Sequence, residues 1–242
     1  MKSWDTKSGY RIIRILSERS NVFLLTNGKQ NILVDTSPKS KWAKLEKQLD
    51  KLKIDHIDYL ILTHTHFDHV GNAHKIREKF NSKVIVHITE AQYLLSGDNI
   101  IPNGTNPFTR VLVKLFAKRF LQGCRYEPCS YDILVDSSFD LKEFGFNATI
   151  ISTPGHSIGS MSVIVDNEIA IVGDAMFGIF PWSVFPPYAS AVKQMIESWG
   201  VLLKTDCSLF LPGHGSADSR SLLQKDYDKR KLKISATSAH TV

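Results

Sequence analysis

Short apolar runs recur along the chain: YRIIRIL, NVFLLT, NILVD, DYLILT, KVIVH, DILV, ATIIST, SVIVD, IAIVGD and SLFLP. They are rich in β-branched side chains and bounded by polar or turn residues, which predicts strands. Between several of them the apolar period lengthens to three or four. SKWAKLEKQLDKLK places Trp42, Leu45, Leu49 and Leu52 on one helical stripe, and GNAHKIREKF, SAVKQMIESWGVLLK and RSLLQKDYDKRKLK follow the same rule. The strands open as hairpins and then alternate with helices. The expected architecture is therefore α/β, with two sheets packed face to face and helices outside them. A coarse echo runs through the chain. Residues 1–90 and 130–220 each pass through strands, a loop carrying histidine or aspartate, and a helix, as two similar halves of a single domain spanning 1–242 would.

Residues 90–130 interrupt this order and read as a helical insert. GDNIIPNGTNPF is turn-rich, and FTRVLVKLFAKRFLQGC follows it. Phe108, Val111, Leu112, Leu115, Phe116 and Phe120 form one apolar face, with Arg110, Lys114 and Lys118 as a basic stripe opposite. The pattern fits a helix covering the core or a lid over a site, and these two are compatible. A dimer contact and a membrane-surface helix are the remaining readings.

Composition narrows the class. The chain has 242 residues, 43% hydrophobic and 22% charged, which describes a globular protein with a sizeable core. The net charge of +6 is compatible with solubility alone, because the lysine clusters at 39–53 and 225–233 read as solvated helix faces. No nucleic-acid partner is expected. Three cysteines, Cys124, Cys129 and Cys207, make no disulfide framework and fit a reducing compartment. The N-terminus has no signal-peptide pattern, and no run is long enough to span a membrane. The expected location is cytoplasmic, with a small-molecule substrate as partner and a homodimer left open.

The chemistry lies in LILTHTHFDHVGN, residues 60–72. In extended backbone, alternate side chains share a face, so His64 and His66 can aim at one point. Asp68 and His69 come after the chain turns and can serve a second point nearby. That spacing suits two adjacent metal ions better than one. Further candidates sit behind later strands: His156 in TIISTPGHSIGS, Asp174 in EIAIVGDAMFG and His214 in SLFLPGHGS. Loops at one edge of a scaffold are where sites are built. His56, His74, His87 and His240 read as ordinary structural histidines.

With THTHFDHVGN, STPGHSIGS, VGDAMF and LPGHG in this order over about residues 10 to 220, the sequence resembles the metallo-β-lactamase superfamily of hydrolases. The resemblance implies a four-layer αββα sandwich with metals at one edge between the sheets. It implies that His64, His66 and His156 hold one ion, that Asp68, His69 and His214 hold a second, and that Asp174 bridges them. The absence of cysteine from this set is similar to the glyoxalase-type thioesterase and lactonase branches rather than the antibiotic-cleaving one. The implied activity is hydrolysis of an ester, thioester or lactone by a metal-bridged hydroxide, with Asp68 binding metal and orienting that hydroxide. The donors are nitrogen and oxygen, so zinc is the default for the two divalent ions, with iron and manganese also suited.

Two departures matter. Phe177 stands where similar lactonases carry a tyrosine three residues beyond the bridging aspartate. Only 28 residues follow His214, too few for a glutathione-binding helical domain. Phe116 and Phe120 of the insert, together with Phe177, Phe180, Trp182, Phe185 and Tyr188, are expected to wall an apolar substrate pocket. A mononuclear iron sulfur dioxygenase, a phosphodiesterase or nuclease, and a non-catalytic metal-binding module are the alternatives.

Overall fold

A computed structural model describes residues 1–239, excluding the side chains of residues 116–122 and 234–239. The strands in chain order are β1 (Lys2–Asp5), β2 (Arg11–Ser17), β3 (Asn21–Thr26), β4 (Asn31–Val34), β5 (Tyr59–Ile61), β6 (Lys83–His87), β7 (Ile133–Val135), β8 (Ser138–Asp140), β9 (Ala148–Ser152), β10 (Met161–Val165), β11 (Ile169–Gly173), β12 (Leu209–Pro212) and β13 (Asp218–Ser219). The α-helices are α1 (Trp42–Lys51), α2 (Phe67–Val70), α3 (Ala73–Phe80), α4 (Ala91–Ser96), α5 (Pro107–Gly123), α6 (Val192–Leu202) and α7 (Arg220–Ala239). Each of the ten apolar runs became a strand. Three short strands, β1, β8 and β13, were not predicted.

The first seven strands form one sheet in sequential order, and β13-β12-β11-β10-β9-β8 form the second. Residue alternation sorts the core into layers. In β3, Phe23 and Leu25 face the second sheet, while Val22 and Leu24 face the helices. In β11, Ile169 and Ile171 face the first sheet, while Ala170 and Val172 pack with Met195, Trp199 and Phe210 under α6 and α7. Leu45, Leu49, Ile76 and Leu94 of α1, α3 and α4 cover the outside of the first sheet. The layers therefore run helix, sheet, sheet, helix, as expected. Both faces of the inner strands are buried, which explains why they read as continuous apolar runs rather than as alternation.

Each sheet contains a parallel pair where ligand-bearing loops emerge. β4 pairs parallel with β5, and β11 with β12. The loops after β4, β5, β11 and β12 consequently leave on one edge, joined there by the loop after β9. Among the described residues, no helix is long and apolar enough to cross a membrane.

The insert contains α4, a loop through residues 97–106, and α5. Its loop is stitched to the segment before α6: Thr105 N–H donates to Pro187 O at 3.0 Å and Ala189 N–H to Asn103 O at 2.9 Å, around a Gly104–Tyr188 bridge. The expected apolar face of α5 is corrected at three positions and holds at Leu112. Phe108, Val111 and Leu115 face solvent, at 72%, 56% and 69% exposure, while Leu112 and Val113 turn inward. The helix is apolar around more than one side, so periodicity alone does not fix which part of it turns inward. Phe116 and Phe120 lie outside the described residues.

Candidate metal centre

The seven side chains singled out from the sequence lie together at the strand edge. Thr65, between His64 and His66, turns the other way, and its backbone and hydroxyl donate to the buried Glu90 carboxylate. Both imidazoles flanking it are thereby aimed into the centre. The short helix α2 carries Asp68 and His69. Asp174 follows β11, and its carboxylate is surrounded: His214 Nε2 lies at 3.2 Å, His69 Nε2 at 3.3 Å, His156 Nε2 at 3.4 Å and His64 Nε2 at 4.0 Å. Gly213 makes this approach possible, because a Cβ there would come within 2.3 Å of Asp174 Oδ1 and 2.7 Å of His69 Cε1.

Three groups of donors could each hold an ion, with all ligand atoms in a group within 4.8 Å of one another: His64, His66 and His156; Asp68, His69 and His214; and His64, His69 and Asp174. The third group links the other two through Asp174. No described histidine outside the seven joins them. His56 and His74 meet Asp55 and Glu127 near the surface, and His87 bonds the Asp136 carbonyl.

Residues that the sequence reading missed hold the imidazoles in place. Asp35, after β4, accepts His69 Nδ1–H at 2.8 Å. It also accepts the Thr63 N–H and hydroxyl, both at 2.8 Å. Because the Thr63 hydroxyl donates its one proton to Asp35, His64 Nδ1 must be the donor in its 3.1 Å contact with Thr63 Oγ1. His156 Nδ1–H donates to the Tyr188 carbonyl at 2.9 Å. His64 and His156 are thus fixed in the tautomer that turns a bare Nε2 toward the centre, and His69 is held with its Nε2 pointing there too, as partners of metal-ligating histidines do. Asp35 has φ 61°, a left-handed conformation that aspartate tolerates better than most residues. Its strand-end position was the one signal available. Glu90 gave none, although it joins the two ligand loops by also accepting Gly159 N–H at 3.1 Å.

The electrostatics of the side chains show what the centre suits. Burial, reinforced by neighbouring imidazoles, holds His64 and His66 well below the usual histidine range, and burial also lowers His156. Burial opposes charge on His69 and His214 too, but the neighbouring carboxylates together outweigh it and raise both, Asp174 with Asp35 at His69 and Asp174 with Asp68 at His214. Asp174 stays ionised despite burial because His214, His69 and His156 surround it. His64 Nε2 and His66 Nε2 are buried with no hydrogen-bond partner. Buried polar atoms are rarely left so. Bare imidazole nitrogens facing an ionised carboxylate are the donor set that a divalent cation satisfies, and the residues fit such ions.

The centre forms the floor of a cavity of about 450 Å³. His66, Asp68, His156, Asp174 and His214 are exposed to it. Its walls include Asn99, Ile100, Ile101, Pro102, Leu112 and Val113 of the insert, together with Arg19, Phe67, Phe177 and Tyr188. Phe177 stacks on His214 with centroids 4.6 Å apart. Phe180 and Trp182, expected in this wall, do not line the cavity. They are exposed, at 44% and 64%, and pack on each other. Phe185 packs instead against Trp199 in the core.

A four-layer αββα sandwich with a His/Asp centre at the strand edge defines a class of metal-binding proteins, and comparison with known sequences agrees. The profile of the Metallo-beta-lactamase superfamily matches residues 18–214, and the chain belongs to that family. It is 31% identical to a probable metallo-hydrolase of Methanocaldococcus jannaschii over 83% of this chain and 90% of that protein. It is 25% identical to a hydroxyacylglutathione hydrolase of Pelagibacter ubique over 93% of this chain and 79% of that one. Among solved structures, an archaeal superfamily protein from Sulfolobus tokodaii aligns with TM-score 0.64 and 21% identity, covering 91% of this chain and 85% of that chain.

Proposed function

We propose that this protein is a binuclear metal-dependent hydrolase that cleaves an ester, thioester or lactone bond in a small, partly apolar substrate. The observation that carries the reading is the ionised, buried Asp174 carboxylate ringed by four imidazoles, with His64 Nε2 and His66 Nε2 buried beside it and unpartnered. His64, His66 and His156 would hold one ion, and Asp68, His69 and His214 the other, with Asp174 between them. Divalent ions bound there, zinc by default for nitrogen and oxygen donors, would lower the pKa of a shared water and polarise the acyl oxygen.

The chain's own residues supply the rest. Asp68 sits at the cavity floor with Oδ2 3.8 Å from His214 Nε2, where it can accept a hydrogen bond from the attacking water and fix its direction. Asp35 and the Tyr188 carbonyl keep three imidazoles from turning. The apolar insert wall and Phe177 exclude solvent and receive an acyl group. Donors that open into a cavity support catalysis over a purely structural ion, whose coordination would be closed. The second donor group, Asp68, His69 and His214, supports two ions over a single iron. Similarity to a hydroxyacylglutathione hydrolase supports an acyl substrate.

The test is elemental analysis of protein purified without chelator, followed by a screen of esters, thioesters, lactones and phosphodiesters after metal restoration. Close to two metals per chain and turnover of an acyl substrate are expected. One iron per chain with persulfide oxidation would overturn the reading.

A further inference from the structure

Arg19 stands out on the cavity wall. It is the one arginine, and no lysine stands beside it, among the described residues that line the cavity. It projects from the turn between β2 and β3, a turn clamped on both sides. Ser20 Oγ donates to Asp68 O, and Asn21 donates from its side chain to Pro212 O at 2.8 Å and from its backbone to Gly213 O at 2.7 Å. The mount of Arg19 is therefore fixed to the two segments that carry Asp68 and His214.

The side chain lies over the Phe67 ring, its central carbon 4.9 Å from the ring centroid. This contact fixes the guanidinium plane and shields one of its faces. Its Nε is 3.6 Å from Asp68 Oδ2, beyond hydrogen-bond reach. No hydrogen bond from the guanidinium to a described residue accompanies that contact, and the side chain is 51% exposed. A planar fork with free donors, beside an apolar wall of Ile100, Ile101 and Leu112, is the arrangement that receives a carboxylate in bidentate fashion.

We propose that Arg19 is an anion-binding subsite, and that the ester or thioester cleaved here carries a carboxylate on a short apolar arm beside the scissile carbonyl. The inference rests on the hydrolase reading above. The arm is short because Arg19 and Asp68 are neighbours, so one small substrate spans from the guanidinium to the metal centre. In that reading the Asp68 carboxylate would be taken up by the ions of the centre, which leaves the guanidinium, 3.6 Å away and not hydrogen-bonded to it, open to a second anion.

The test uses the metal-restored full chain and thioesters of one thiol: glutaryl, and the uncharged glutaryl methyl ester. The ratio of their kcat/KM values is measured for the native protein, Arg19→Gln and Arg19→Lys, with metal content and melting temperature recorded for each. The native protein should prefer the charged acyl group. Arg19→Gln should lower the charged-to-neutral ratio by about 10- to 100-fold, and Arg19→Lys should restore part of it, keeping charge without the fork. Calorimetric titration with glutarate and pentanoate should show a matching loss of glutarate affinity alone. An unchanged ratio, with both rates falling together or both intact, would overturn the proposal and leave Arg19 acting through Asp68 or not at all. If no acyl substrate is turned over, the hydrolase reading fails, while the calorimetric arm still decides whether Arg19 binds the anion.

Discussion

Asp35→Asn is the sharpest perturbation the structure offers, because one carboxylate fixes an imidazole in each donor group. Asp35 Oδ2 accepts from His69 Nδ1 and from the Thr63 hydroxyl, and Thr63 in turn accepts from His64 Nδ1. Asparagine keeps the shape and, through Oδ1, the bond from Thr63 N–H. At the other position it presents an N–H₂ group that can only donate. His69 Nδ1 must then become an acceptor, and the Thr63 hydroxyl is released to donate to His64. Both rings move their proton to Nε2, the atom that faces Asp174. His156 keeps its tautomer because its partner is the Tyr188 carbonyl. Loss of such an orienting partner typically weakens metal binding by about 10- to 100-fold, or about 1.4–2.7 kcal/mol at 1.36 kcal/mol per decade. Both ions should be affected, since His64 and His69 belong to different groups. The assay is competition of the metal-free protein against a zinc-binding dye, resolved into two steps. Histidine ¹H–¹⁵N correlation spectra of the same sample report the tautomers. Affinities within about threefold of the native values, with Nδ1–H retained on both rings, would refute the reasoning.

Asp68→Ala should lower turnover by at least about 100-fold, yet leave the melting temperature within about 3 °C, because Oδ2 lies 3.6 and 3.8 Å from Arg19 and His214; parallel loss of both would mark Asp68 as structural. Leu112→Ala should shift the preference between short and long acyl chains and cost less than about 2 kcal/mol, below the range for a fully buried leucine, since this residue is half-buried and lines the cavity; unchanged selectivity beside a large loss in chemical denaturation would make the insert plain core. Asp218 is raised to about 6 by burial and then by Asp226, from an ordinary value of 3.8. Between these values the unfolded chain ionises first, so stability falls as pH rises. Asp218→Asn should therefore raise the melting temperature at about pH 7 and leave it unchanged at about pH 3, by calorimetry; equal effects at both would refute the assignment.

Strands such as β3, β4, β10 and β11 were legible because burial on two faces demands an unbroken apolar run, and the ligand residues because histidine and aspartate at strand ends serve little else. β1, β8 and β13 were not legible, since KSWD, SFD and DS carry no pattern of their own and exist through their neighbours' pairing. Asp35 and Glu90 escaped because their partners lie 25 to 69 positions away along the chain, a proximity that only the folded sheet creates. The inward side of α5 was misread at Phe108, Val111 and Leu115 for the opposite reason: apolar residues lie around more than one side, and only tertiary context chooses between them.

Tyr188 joins two jobs that a changing sequence would otherwise adjust separately. Its residue lines the cavity and bridges to Gly104 of the insert, while its carbonyl holds His156. The ring can be exchanged without touching the carbonyl, so point substitutions at 188 are free to explore substrates. Insertions or deletions between 178 and 190 are not, because moving that carbonyl by one residue unseats an imidazole. Length variation among descendants of this sequence should accordingly collect in the insert loop and spare the segment it is stitched to.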